Sequence, residues 1–311
     1  MGSPGPGPQT VTVRRRRRRS SYQTREALTG FLFLSPSFVF LTAFVFIPLL
    51  YLMYVSQLHW NLISTSSYVG LNNYAHLFHD AYFTSTVRNT IVFTAGVMVL
   101  TLPTAFAAAF LLNMRLRERT FYRSAFLAPY VFPLVASGIV WTLMLQPQEG
   151  VVNWFLSLFG IAGPPWLNSG TWAMVAIVLV TSWQYFGFYT LIFLSGLQGV
   201  PRDVLEAADV DGVSGARRIW SVTLPMMSSS LFFATVILVI QSFQVFTQVF
   251  VMTGGGPDSA TTTIVFYLYQ EAFQFFQMGT AATVAVLLLM SLVVLTLLQL
   301  LASRRWVYYE S

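Results

Sequence analysis

Leu205-Glu206-Ala207-Ala208-Asp209-Val210-Asp211-Gly212-Val213-Ser214-Gly215-Ala216-Arg217-Arg218-Ile219-Trp220-Ser221-Val222-Thr223-Leu224-Pro225 is the longest charge-rich stretch between two apolar runs of this chain. Its residues spell two short helices with a hinge. Pro201 suits a first helical position, where a missing N–H leaves nothing unpaired, and Asp203 and Glu206 stand near the positive N-terminal end. Gly212 supplies the left-handed conformation that ends a helix. Ser214 is placed to cap a second helix and Leu224-Pro225 to close it, because the residue before a proline avoids helical dihedrals. A polar segment this structured, set between apolar runs, is expected to be a docking surface for a soluble partner.

The runs on either side decide the class. The 311 residues are 55% hydrophobic and only 9% charged, against about 25% charged in soluble domains. Several runs of about 20 residues carry no charge, which is what a helix needs to cross a hydrocarbon core of roughly 30 Å. The short alternating segments of a membrane barrel are absent. An all-α membrane protein follows, with six spans at about 28–55, 90–113, 124–145, 171–197, 226–251 and 278–302, and the polar loop at 198–225. Residues 1–27, Gly/Pro-rich and then basic, are expected to be disordered. The tail is 306–311.

Charge placement orients the array. The chain has no lysine, and every arginine except Arg88 falls in one of four segments: the head, the 114–123 loop, the 198–225 loop and the C-terminal end. These four alternate with the remaining connections, so all lie on one side, which the positive-inside rule makes the cytoplasm. The run Arg14 to Arg19 is read as a topology or lipid signal; a nucleic-acid role leaves six helices unexplained. There is no cysteine, hence no disulfide or thiol chemistry. His59, His76 and His79 lack the spacing of a metal-binding helix.

In order, Glu206-Ala207-Ala208, Gly212 and Val222-Thr223-Leu224-Pro225 resemble the signature loop of binding-protein-dependent ABC importer permeases. Gly70-Leu71-Asn72-Asn73-Tyr74, Asn89-Thr90, Gly254-Gly255-Gly256-Pro257-Asp258 with Thr263, and Leu197-Gln198-Gly199-Val200-Pro201 are similar to landmarks of the branch importing carbohydrates and glycerol phosphates. The resemblance covers about residues 28–305. One departure is Ser229, where many members carry a second proline, so the lead-in to the fifth helix is expected to be less kinked. The resemblance implies the type I ABC importer permease fold. It implies a homologous second permease subunit, two ATP-binding subunits that hold ATP and Mg, and an extracytoplasmic solute-binding protein. It also implies coupling to the ATPase through Glu206, Ala207, Ala208, Asp209, Asp211, Gly212, Arg217, Leu224 and Pro225.

The chain lacks a phosphate-cradling G-x-x-x-x-G-K-[ST] sequence and any hydrolytic constellation, so it is expected to transport without being an enzyme and to need no cofactor or metal of its own. An ion-coupled secondary transporter is the alternative. Such proteins place ionisable groups inside the membrane, whereas Arg88 and Glu271 fall at span ends. Solute contacts are expected from polar and aromatic residues in mid-span: Trp183, Gln184, Tyr185 and Phe188, with Gln241, Ser242, Gln244 and Gln248. Gln241, Gln244 and Gln248 fall at i, i+3 and i+7, one helical face. Amides between spans also serve as packing contacts worth about 0.6 kcal/mol each. Arg88, at the head of the second span, tilts the expected solute toward a glycerol phosphate rather than a neutral sugar.

Overall fold

The computed structural model describes residue 2 and residues 19–63, 65–114, 118–305 and 307. The Arg14–Arg18 part of the basic run, Arg115, Arg117 and the tail from 308 lie outside them. The chain divides after Leu52 into two compact units. In the first, α1 (Arg19–Leu41) continues through a π-helical turn (Thr42–Phe46) into α2 (Ile47–Val55). Helix therefore begins at Arg19, inside the stretch expected to be disordered, and Pro36 does not end it.

The second unit begins with a two-residue antiparallel pair, β1 (Leu58–His59) and β2 (Ser67–Tyr68). Then follow α3 (Asn72–His79) and α4 (Ala81–Asn113). Helix α4 starts nine residues before the expected span, capped by the Asp80 carboxylate, which accepts from the Tyr82 N–H at 2.8 Å. Pro103 sits within it without breaking it. Next come α5 (Arg119–Val131), α6 (Leu134–Met144), α7 (Val151–Ser157) and α8 (Gly170–Gly199). Beyond them are α9 (Arg202–Val210), α10 (Gly215–Arg218), a π turn (Ile219–Thr223), α11 (Leu224–Met226), α12 (Ser228–Phe243) and α13 (Thr247–Met252). The chain closes with α14 (Ile264–Tyr269), a π turn (Gln270–Gln274) and α15 (Met278–Ser303).

Four of these helices are long and apolar enough to cross a membrane, or up to six spans if each of two bent pairs counts as one. The third expected span is one such pair: α5 and α6 meet at 93°, because Pro133 has no N–H to continue the ladder and Phe132 is held extended. The other bend, 74°, falls at Met227 between the α10–α11 segment and α12. The lead-in to the fifth helix is thus sharply kinked without a second proline. The fifth run is broken once more, at Gln244–Phe246.

Helix α8 is the centre of the second unit, lying against α4, α5 and α12. Phe93, Val97, Ile177, Val180, Phe193, Leu194 and Leu238 form the fully buried seam. Where α8 crosses α5 the backbones touch: a Cβ on Gly187 would collide with the Phe126 carbonyl. A second small core, Leu77, Phe83, Ile264, Tyr267 and Val284, joins α3, α4, α14 and α15.

The landmark residues prove to be ties. Asn73 donates to the carbonyls of Ser56 and Leu58, both at 2.9 Å, and the Tyr74 hydroxyl lies 2.8 Å from Ser56 Oγ. Asn89 donates to the carbonyls of Ser259 and Thr262, and Thr90 Oγ1 accepts the Ile264 N–H at 3.0 Å. Thr263 donates to the Val245 carbonyl, freed by the break after α12.

Gly187→Ala tests the α5–α8 approach. Propensity alone favours Ala over Gly in a helix by about 1 kcal/mol, whereas forcing apart two packed backbones costs about 1–3 kcal/mol or more. A lowered melting midpoint of the detergent-solubilised chain is expected; a raised one would show the helices free to separate.

Candidate functional site

The 202–226 loop begins at Pro201, which sits one place ahead of the first helical residue, with Asp203 in the first turn of α9. Gly212, at φ +74°, ends α9 as expected. The Gly212 N–H reaches the Asp209 carbonyl at 3.1 Å and the Val213 N–H the Ala208 carbonyl at 2.9 Å, the paired bonds that satisfy the orphan carbonyls of a helix end. Arg218 then closes the hinge on Asp209 at 2.6 Å. Both side chains are substantially exposed, so this pair sets register more than stability, about 0–1 kcal/mol.

Two details differ from the sequence reading. Ser214 takes the cap position, but its hydroxyl makes no cap bond. The second helix also runs through Leu224-Pro225 to Met226, because the π turn shifts Leu224 onto the Ile219 carbonyl and carries Pro225 at the start of a new turn. Glu206, Ala207, Asp209, Asp211, Gly212, Arg217 and Pro225 are exposed, Leu224 is half-buried against the core and Ala208 is buried. Val210 and Trp220 stand out at 88% and 74% exposure.

The mid-span residues separate onto different faces. Ala176, Leu179, Val180 and Trp183 fall at i, i+3, i+4 and i+7 on α8, and together with Trp141, Leu145, Val152 and Trp166 they wall a cavity of about 270 Å³. Trp141 and Trp183 meet edge to face at 5.3 Å. Gln184 points elsewhere: it is buried, and its amide donates to the Phe132 carbonyl at 3.3 Å, one of those freed by the α5–α6 bend. Tyr185 and Phe188 face α5, where Tyr130 stacks on Phe188 at 4.7 Å and 10°. Tyr189, buried, donates to Gln241 Oε1 at 2.8 Å.

Gln241, Gln244 and Gln248 do not share a face. The break at Gln244–Phe246 resets the helical phase, leaving Gln244 exposed and Gln248 buried. Ser242 Oγ, Gln248 Nε2 and Gln184 Oε1 are buried without hydrogen-bond partners. Arg88 is exposed on α4, apart from these groups. Tyr130 and Tyr189 escaped the sequence reading, although Tyr189 lies one turn beyond Tyr185.

At the end of the bundle opposite the 202–226 loop, the buried Tyr267 hydroxyl bonds to the carboxylates of both Asp80 and Glu271. Burial, then the charge of Asp80, raise the Glu271 carboxyl, partly offset by the Tyr267 bond. Burial raises the Tyr267 phenol, reinforced by both acids.

The family described as binding-protein-dependent transport system inner membrane component matches residues 10–307. The sulfoquinovosyl glycerol transport system permease protein of Agrobacterium fabrum is 33% identical over 85% of this chain and 86% of its own length. The trehalose/maltose transport system permease protein of Thermococcus litoralis is 33% identical over 84% and 87%, and the sn-glycerol-3-phosphate permease protein of A. fabrum 29% over 90% and 96%. In fold, a chain of a bacterial alginate ABC transporter, crystallised with an alginate pentasaccharide-bound periplasmic protein, superposes with a TM-score of 0.80. It is 20% identical and is matched over 92% of this chain and 98% of that one.

The acid pair sets a pH response. The fold holds Glu271 above its ordinary value of 4.5, so the folded chain keeps a proton that the unfolded chain releases. That contribution is full below the ordinary value and is lost as pH rises through the raised one. Melting from acid toward neutral pH should show stability falling across this window in the native chain, and Glu271→Gln should flatten the fall. Parallel curves would remove Glu271 as its source.

Proposed function

The chain belongs to the binding-protein-dependent transport system inner membrane components and is a permease subunit of an ABC importer of the sugar and glycerol-phosphate branch; we propose that it carries a polyol-type solute, sugar or glycerol phosphate, through six spans by alternating access. The two bent pairs count as one span each, with the 202–226 loop on the cytoplasmic side and both termini beside it. A homologous second permease completes the pathway. Two ATP-binding subunits hold the ATP and Mg, so this chain is not itself an enzyme, and an extracytoplasmic solute-binding protein delivers the solute.

One observation carries the coupling role: a hinge closed by Gly212 and the Arg218–Asp209 pair, exposing the acids of α9 beside the open apolar side chains Val210 and Trp220. Such a unit is rigid within itself and unfinished on its surface, as a force-transmitting contact requires. Gly212→Leu tests it. A non-glycine residue pays about 1–2 kcal/mol in the left-handed region, and a bulky one shifts α9 against α10. The variant should insert normally yet assemble poorly with the ATP-binding subunits, or lose transport-stimulated ATP hydrolysis; transport at the native rate would remove the loop from the coupling path.

Orientation is read from cysteine labels, each unique because the native chain has none. Thiols at residues 10, 118 and 308 should be reached from the cytoplasm, and thiols replacing His76, Asn168 and Asp258 from outside. A label on the wrong side removes a span.

For the solute, we assign contacts to Tyr185, Phe188, Gln241, Ser242, Gln244 and Gln248, joined by Tyr130 and Tyr189. Aromatic faces beside uncharged amides suit hydroxyl-rich ligands, and Gln184 fixes the α5–α6 bend that frames them. Arg88 separates the two solute classes. Arg88→Gln should weaken import of a phosphorylated ligand and spare a neutral sugar. Unchanged import, with strong losses in Tyr185→Ala or Gln244→Leu, points to a neutral ligand, or to phosphate recognition by the second permease or by the binding protein alone.

A further inference from the structure

Helix α7 is apolar on its outer face as well as at Val152, which packs inward against the core. Its inward residue Asn153 is polar: the amide donates to the carbonyls of Pro147 and Pro164, and its oxygen accepts the Trp166 indole N–H at 2.7 Å. Its outward residues are apolar. Val151, Trp154, Phe155 and Leu158 fall at i, i+3, i+4 and i+7, and each is more than half exposed; Phe159 and Ile161 extend the patch at 68% and 53%. A helix facing water shows the reverse arrangement.

No charged residue occurs between Glu149 and Arg202. A surface built to recognise a soluble protein ordinarily carries a polar, charged rim, and the 150–201 segment contributes no charge to this one. Exposed apolar residues also stand on the neighbouring helices, Leu143 on α6 and Trp172 and Val175 on α8, helices that themselves cross or enter the membrane. Tryptophan and phenylalanine at such a junction are the residues of the bilayer interface.

Against α7 lies the 270 Å³ cavity, lined by Val152 of that helix together with Trp166, Trp141, Ala176, Leu179 and Trp183. Leu179 and Trp183 of its lining are 43% and 38% exposed, so the cavity is bordered by open apolar surface. Its walls are hydrocarbon and indole, and the Trp166 N–H is already engaged by Asn153. An apolar cavity of about 150 Å³ stays dry and accepts hydrocarbon; a larger one with these walls offers water or a sugar too few hydrogen bonds.

We propose that α7 and the cavity against it form a phospholipid site in the leaflet opposite the 202–226 loop. The 151–161 face lies among the lipids, and one acyl chain enters between Trp141 and Trp183. The leaflet is the outer one on the orientation given above; the site itself does not depend on that orientation or on the transport assignment.

The test uses the full-length chain reconstituted in bilayers whose phospholipids carry bromine on one acyl chain. A bimane on Leu158→Cys, the only thiol present, should lose fluorescence to the brominated chains and keep it in aqueous iodide. In a Trp154→Phe, Trp172→Phe background, which removes the tryptophans of the outer face, tryptophan fluorescence should likewise show a component quenched by the brominated chains. Ala176→Phe, which fills the cavity, should lose that component while the bimane response is unchanged. Should Ala176→Phe fail to fold, Trp183→Phe with Trp141→Phe removes the same component by deleting the reporters.

Quenching of the bimane by iodide would put α7 in water and overturn the proposal. Quenching by neither agent would show a protein, the second permease or the binding protein, covering the face, and would overturn it equally. Tryptophan quenching in Ala176→Phe equal to that of its Trp154→Phe, Trp172→Phe background would exclude the acyl chain from the cavity. A failure of the Gly212→Leu or cysteine-label results leaves all three readings untouched.

Discussion

Inside a bilayer a backbone carbonyl has no water to turn to, and an unpaired one costs several kcal/mol. This chain breaks its helices repeatedly, and at two of the breaks it meets that requirement with one side chain. The 93° bend between α5 and α6 releases the Phe132 carbonyl, and Gln184 donates to it. The interruption after α12 releases the Val245 carbonyl, and Thr263 donates to it. Asn89 bonds two carbonyls of the 259–262 turn at once. The bends shape the space between α5, α6 and α8, so the geometry of any solute path depends on these few polar contacts.

The 202–226 loop is governed by different physics. Little of it is buried, and its shape comes from local geometry: a left-handed glycine, the two hydrogen bonds that close α9, a π turn and one exposed ion pair. Such an element holds its own conformation cheaply and keeps its surface for something else. The bundle invests its apolar surface in itself along α4 and α8; the loop leaves Val210 and Trp220 open. The proposed coupling to separate ATP-binding subunits would use this division between a packed body and an uncommitted contact.

The same contrast explains the two aromatic groups of α8. Trp183 and Tyr185 are two residues apart, about 200° around a helix of 3.6 residues per turn, and so serve different neighbours. Tyr185 joins Tyr130 and Phe188 against α5, while Trp183 joins Trp141 across an apolar cavity. Adjacent letters of one motif therefore reach chemically distinct surroundings.

Much of this was legible in the sequence, because local rules decide it. Charge-free runs give the membrane class, arginine placement gives the expected sidedness, and Gly212 marks the hinge through a conformation that only glycine adopts freely. The landmark residues Asn73 and Asn89 could be recognised, although their role as ties could not. The 74° turn at Met227 without its second proline and the break at Gln244 appear only in the folded chain, and although Pro133 gives the α5–α6 bend a local cause, the partner of its freed carbonyl, Gln184, comes from α8. At the α5–α6 bend and after α12 a side chain distant in sequence, Gln184 or Thr263, satisfies a carbonyl that a straight helix would have satisfied itself. Hence the glutamines that periodicity placed on one face stand apart: a period of 3.6 carries information only while the helix is unbroken. Which helix ends are rejoined, and by which side chain, is settled only when the chain is folded against itself.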